Sequence, residues 1–194
     1  MEEHLDTRER ILQATLKLIR KKGFKGATTR VIAQEAGVNE VTLFRHFNNK
    51  KGIVKAAFEK VSYVSTLSEA IKEKIEWDLE KDLLMFSKDY QQLLNENRDL
   101  IMISLKEGDS FPELEQQIAD IPRQLKKILI EYFISMKEKG ILIETNVEAQ
   151  AMAIIWMNFG FFTSRSQHGT QITDLTEKEY LKNTVEVFAR GLTL

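Results

Sequence analysis

The sequence predicts an all-α protein, with an N-terminal three-helix helix-turn-helix head and a larger C-terminal helical body. Three observations carry that prediction. Apolar residues recur at the spacing of a helix along most of the 194-residue chain, and no stretch of the first sixty residues keeps the alternation of a half-buried strand. Glycines and capping residues punctuate the chain where each apolar run ends. The cations are also unevenly placed. Residues 1–60 carry thirteen Lys and Arg against seven Asp and Glu, a balance of +6, whereas residues 61–194 balance at −7. A basic head on an acidic body fits a head that meets a polyanion, although clustered solubilising charge gives the same count.

Each helix has its own warrant. Ile11, Leu12, Leu16, Leu18 and Ile19 define the first, with Thr7 as its expected cap and Gly23 as its stop. A second, short helix runs from about Thr29 to Ala36, capped by Thr28 or Thr29 and ended by Gly37. Asn39 is a good cap for a third, which runs to about Phe47. Asn48 or Asn49 caps a fourth, which continues past Gly52 into the sixties. Asp78–Asn95 carries Leu79, Leu83, Phe86, Tyr90, Leu93 and Leu94 on one side. Arg98–Glu107 is shorter. Pro112 opens a long segment to about Lys139, in which Pro122 removes a donor and is expected to kink or divide the helix. Gly140 ends it. Asn146 caps an apolar helix to about Gln167, and Thr176–Arg190 forms the last. "ILIE" at 141–144 is too short to read as a strand.

Composition excludes several classes. The chain has no cysteine, hence no disulfide framework and no thiolate chemistry. The start, "MEEHLDTRER", lacks the apolar core of a secretory signal. The longest apolar run, "AMAIIWM", falls far short of a membrane span. The chain is therefore read as cytoplasmic. There is no HExxH and no Gly-rich phosphate loop, and His4, His46 and His168 lack ligand spacing. No metal, no cofactor and no catalytic residue is expected.

"AGVNEVTLFRHFNNKKGI", residues 36–53, is the informative stretch. Two short helices joined at Gly37 have the signature of a helix-turn-helix, and glycine permits the positive φ of such a turn. Ala33 leaves room for the crossing helix. Val38, Leu43 and Phe47 can point inward against Leu12, Leu16 and Ile32. That leaves Glu40, Val41, Thr42, Arg45 and His46 outside, on a short helix able to enter a major groove. The plain alternative is an ordinary helical hairpin. The local positive balance favours DNA.

"RERILQATLKLIRKKGFKGATTRVIAQEAGVNEVTLFRHFNNKKGI", within residues 8–54, resembles the DNA-binding head of the TetR family of transcriptional regulators. The elements "GF…TT..IA..AGV" and "TLF.HF.NK" carry the resemblance, without gaps, over about a quarter of the chain. It implies a DNA-binding domain at 1–48 and a ligand-binding and dimerisation domain at 49–194. It implies that Thr28 and Thr29 contact phosphate and that Arg30 reaches a base edge. Glu40, Val41, Thr42 and Arg45 match base-facing positions. Phe44 and His46 match backbone contacts, and Lys50 matches a phosphate-pairing lysine. Where the family usually has tyrosine this chain has Phe44, so one phosphate hydroxyl contact is lost, and Lys51 is the residue placed to compensate.

The chemistry of these residues is uneven. Arg30 and Arg45 can donate two bonds to guanine, and Val41 and Thr42 offer methyls to thymine. Lys50 and Lys51 sit where free N–H groups favour a phosphate. Glu40 suits the positive end of its helix or the cytosine amino group. His46 reads as a phosphate donor or as a surface histidine.

In the body, "VEAQAMAIIWMNFGFF" is apolar nearly all round, the pattern of a helix buried on both sides. The last helix has two apolar lines: Leu181, Val185, Phe188, Leu192, and Tyr180, Thr184, Val187, Gly191. By resemblance the last two helices, 146–167 and 176–192, pair with a second copy. The expected partners are a palindromic operator, a second copy and a small, mostly apolar effector, with no membrane. Candidate effector contacts are Phe86, Tyr90, Phe111, Tyr132, Trp156 and Phe159. The fourth helix is expected to be the one continuous element between head and body. The rival reading is a helical protein-interaction adaptor without sequence-specific DNA binding.

Overall fold

The computed structural model describes residues 6–61, 73–107 and 112–194, with the side chains of 61 and 112–118 outside the description. Among the described residues there are nine helices: α1 (Thr7–Gly26), α2 (Thr29–Glu35), α3 (Glu40–Phe47), α4 (Lys50–Val61), α5 (Leu79–Glu96), α6 (Arg98–Glu107), α7 (Pro112–Glu138), α8 (Val147–His168) and α9 (Glu177–Leu192). The only β-pairing among them is a bridge of Leu142 with Thr193. It is held by Ile143 N–H donating to Leu192 O and Leu194 N–H donating to Ile141 O. The chain is all-α, as expected.

Three helix starts follow their expected caps at Thr28, Asn39 and Asn146, and Asp78 and Thr176 cap two more. Thr28 accepts from Val31 N–H, Asn39 from Thr42 N–H, Asp78 from Lys81 N–H and Asn146 from Ala149 N–H. Thr176 and Glu179 exchange bonds in a full capping box. α1 differs. Asp6 stands at its cap without a side-chain bond, and Thr7 is already helical. At its far end Gly23 adopts φ 70°, ψ 178°, which ends the regular spiral; one further turn reaches Gly26.

The helices fall into two compact units. The first comprises Met1–Ser62 with Asp99–Asp120, and the second Tyr63–Arg98 with Ile121–Leu194. α4 belongs with the head, because Ile53 and Ala57 are fully buried in the core that also holds Ile11, Leu12, Ile19, Ile32 and Leu43. α6 joins the same core through Leu100.

Pro122 does not divide α7, which runs through it; one missing donor interrupts the ladder at one point while its neighbours keep theirs. α7 also begins in the first unit and ends in the second, so α4 is not the one continuous link.

The second unit is built on α5, which packs against both α8 and α9. Leu83, Phe86, Leu94, Ile154, Ile155, Leu181 and Val185 fill its core. A polar seam crosses it. Gln91 Nε2 donates to the backbone and side-chain oxygens of Asn158 at 2.8 and 3.3 Å. Asn158 Nδ2 donates to Ser87 Oγ at 3.0 Å and to Ile154 O at 2.9 Å. These three side chains are buried, and their mutual bonds offset the loss of water.

Leu43 ties α3 to the head and is wholly buried. Leu43→Ala should cost about 2–5 kcal/mol of unfolding free energy in denaturant titration.

Candidate nucleic-acid interface and effector pocket

The first unit presents α3 from a rigid base. Leu43 and Phe47 face the core, and Val38 packs against it. Gly37 takes φ 65° at the turn. Val38 N–H donates to Ala33 O at 3.0 Å and Gly37 N–H to Gln34 O at 3.2 Å, which closes α2. On the other face Val41 is 76% exposed and Phe44 40%, with Arg45 and His46 also exposed. Thr28 and Arg30 are exposed at the start of α2, with Thr29 half-buried between them. Glu40 and Thr42 are half-buried at the start of α3, where the Thr42 hydroxyl donates to Asn39 Oδ1 at 2.9 Å. The proposed contact residues therefore lie along the starts of α2 and α4 and the outer face of α3.

Lys50 is the exception. Its ammonium turns inward and donates to Phe24 O at 2.5 Å. Burial lowers its pKa below that of an ordinary lysine, while the nearby Glu107 carboxylate opposes the shift. Lys50 thus already holds a carbonyl within the head, and Lys51 is the more exposed lysine of the pair.

Two residues that the sequence reading passed over hold this interface together. Arg10 on α1 donates from Nε and Nη2 to Ala36 O at 3.1 and 2.6 Å, and from Nη2 to Gly37 O at 3.0 Å. Glu107, at the end of α6, accepts from Phe24 N–H at 3.0 Å. Its carboxylate fills the space beside Gly23, where a Cβ would come within 2.3 Å of Oε1. Nothing local marks either residue, because their partners lie 26 and 83 positions away.

The second unit holds a small cavity of about 10 Å³, lined by Ile75, Asp82, Leu83, Met85, Phe86, Leu129 and Tyr132. That is room for about one water molecule. Asp82 is buried and spans two elements. Its Oδ1 accepts from Glu76 N–H at 2.9 Å, and its Oδ2 accepts from the Tyr132 hydroxyl at 2.9 Å. Burial, then that bond and the charge of Asp82, raise the Tyr132 pKa, so the phenol stays a donor. Trp77 stacks on Tyr132 with ring centroids 6.3 Å apart, and Lys139 Nζ stands 4.1 Å from the Trp77 ring centroid. Trp77 has φ 62°, a left-handed conformation that costs a bulky residue about 1–3 kcal/mol.

The expected effector contacts separate against this cavity. Phe86 and Tyr132 line it. Tyr90 is buried in the core with its ring 5.8 Å from that of Phe86, and burial raises its pKa. Phe159 is half-buried against Phe162. Phe111 lies outside the described residues. Trp156 is 64% exposed, at the surface of its unit. α8 is accordingly not buried on both sides within the chain. A signal for Asp82 was present, since an acid stands at i+3 and i−4 in the apolar line of Leu79, Leu83 and Phe86.

Comparison with known proteins fits the head's geometry. Residues 11–57 match the family described as bacterial regulatory proteins, tetR family. The HTH-type transcriptional regulator YvkB of Bacillus subtilis (strain 168) is 33% identical over 187 residues, 96% of this chain and 97% of that protein. The chain belongs to the TetR family of transcriptional regulators. The relatives it matches are transcriptional regulators. The fatty acid metabolism regulator protein of the same organism is 31% identical over 121 residues, 61% of this chain and 62% of that protein. The crystal structure of B. subtilis FadR in complex with stearoyl-CoA superposes with a TM-score of 0.72, covering 94% of this chain and 97% of that one at 24% identity, which shows the shared fold. Among the described residues of this TetR-family chain, no helix is long and apolar enough to cross a membrane.

Arg10 should prove structural. Arg10→Ala leaves the carbonyls of Ala36 and Gly37 short of a donor, at a cost of about 1–3 kcal/mol. Amide exchange along Glu40–Phe47 should quicken, while exchange in α8 stays unchanged.

Proposed function

We propose that the chain is a cytoplasmic, ligand-responsive repressor that binds a palindromic operator as a homodimer and leaves it when a small, mostly apolar effector binds. The observation that carries the DNA side is the outer face of α3. An apolar Val41 stands almost fully in water beside Arg45 and His46, on a helix fixed from behind by Leu43 and Phe47. Such a face gains by meeting thymine methyls and guanine edges. Thr28, Thr29, His46 and Lys51 take the phosphates, Phe44 packs on the sugar edge, and Arg30, Glu40, Val41, Thr42 and Arg45 face bases. Glu40 also sits in the first turn of α3, where its charge favours the helix dipole.

The homodimer reading rests on α8 and α9. Leu181, Val185, Ala189 and Leu192 turn into the chain's own core. On the other line Val187 is 68% exposed, with Gly191 exposed and Tyr180 and Thr184 half-buried. On α8, Trp156 and Gly160 are exposed, and a Cβ at either Gly160 or Gly191 would meet nothing within 4 Å. Exposed large apolar groups beside open glycines suit the close approach of a second copy. A two-fold dimer would place its half-sites about 34–36 Å apart, one helical turn, or farther.

Effector release follows from linkage. A ligand that prefers the DNA-incompetent state a hundredfold supplies about 2.7 kcal/mol per site, and operator DNA must weaken ligand binding by the same factor. The relatives named for fatty acid metabolism, one of them in complex with stearoyl-CoA, support an effector with a long apolar portion.

Selection from a random duplex pool tests the reading and should return a palindrome. With that operator, Arg45→Ala should relax preference at one position per half-site, by about 1–3 kcal/mol. Lys51→Ala should weaken all duplexes alike and flatten the salt dependence by about one unit. Recovery of no shared sequence would defeat the proposal. Val187→Asp together with Trp156→Asp should give a monomeric mass in solution and a large loss of operator affinity; an intact dimer would refute the α8/α9 interface.

A further inference from the structure

We infer that Arg8, in the first turn of α1, is a further phosphate-binding residue of the head, stationed by the Phe47 ring at the end of α3. This rests on the DNA-binding reading above and adds a contact from α1, a helix to which that reading gives none. Arg8 stands three and four residues before the buried Ile11 and Leu12, so its stem follows the inward line of α1. Its head comes out at the end of α3, where the guanidinium carbon lies over the Phe47 ring, 5.4 Å from the centroid. Phe47 is buried and so fixed by the core, while Arg8 is exposed. The His46 ring stands 6.1 Å from the same Phe47 ring. Phe47 thus has two neighbours able to carry positive charge, one from α3 and one from α1.

The charge of Arg8 is not spent within the head. Among the described residues no carboxylate pairs with it. The adjacent acid, Glu9, is taken: it pairs with Lys60 and accepts from Gln13 Nε2 at 3.0 Å. Asp6, at the cap of α1, stands two positions back, a spacing at which side chains do not face each other. The π face of Phe47 attracts the cation without occupying its planar fork as a carboxylate would. That fork matches the oxygens of a phosphate. Position decides between phosphate and base. The N-terminal part of a recognition helix reads base edges, so its far end, at His46 and Phe47, comes out beside the DNA backbone. A guanidinium held there, on a neighbouring helix, meets phosphate.

The test is a salt titration of duplex binding by the whole chain, with the operator recovered by selection and with a mixed-sequence duplex of equal length. Arg8→Ala should weaken both duplexes and flatten the dependence of log affinity on log salt by about one unit per half-site. Arg8→Lys keeps a cation at the end of the same stem and should restore the slope, with affinity between those of the wild type and Arg8→Ala. Amide exchange along Glu40–Phe47 should stay as in the wild type, unlike that of Arg10→Ala. An unchanged slope in Arg8→Ala, whether affinity is kept or is lost equally at every salt concentration, would overturn the inference. So would a slope in Arg8→Lys as flat as that of Arg8→Ala. A protein that selects no operator, yet binds the mixed-sequence duplex with a slope that Arg8→Ala flattens, would leave this contact standing and remove the repressor reading instead.

Discussion

The Arg10 guanidinium is the contact on which the DNA-facing geometry depends. α2 and α3 have seven and eight residues, too few to hold themselves as helices in water. Their order comes from the core beneath them and from the turn between them. At that turn the last carbonyls of α2 have no intrahelical donor. Arg10 supplies a charged, planar fork to Ala36 O and Gly37 O, and so fixes the angle at which α3 leaves α2. The same residue limits the turn, because a Cβ on Gly37 would lie 3.0 Å from Nη2 while also needing a positive φ. One side chain of α1 thus sets both the conformation and the composition of the turn. Behind it, Lys50 and Glu107 hold the Phe24 backbone at its carbonyl and its amide, tying α4 and α6 to the end of α1.

What the sequence made legible was local. Thr28, Asn39 and Asn146 each cap a helix whose first amides lie three residues on, so residue type and position suffice. Gly23, Gly37 and Gly140 were legible for a similar reason, since each takes a positive φ that an L side chain resists. Arg10 and Glu107 were not, because a long charged side chain at a helix surface reads as solvated until its partner is known. Lys50 shows the opposite case: the resemblance implies a role outside the protein, and the fold also gives its ammonium the Phe24 carbonyl.

Trp156 shows a different limit. An apolar residue on an apolar helix must be covered, but its chemistry does not say by what. The chain's own core takes Ile154, Ile155 and Phe162 and leaves Trp156 out. The polar seam of Ser87, Gln91 and Asn158 sets the same selection from within. It fixes which faces of α5 and α8 meet, since a rotation of either helix would break buried bonds that water cannot replace. The choice of inner and outer face on α8 is therefore made by three polar side chains rather than by the apolar majority.

The chain contains two tryptophans, and the fold has put them in unlike places. Trp156 stands in water on the face proposed for a second copy, while Trp77 stacks on the Tyr132 ring and meets the Lys139 ammonium. Their indoles are two native optical probes with separate environments: one emits from a wet surface, the other beside a stacked phenol and a cation. With either replaced by phenylalanine, the emission of the remaining one reports on its own surroundings alone, without any attached dye.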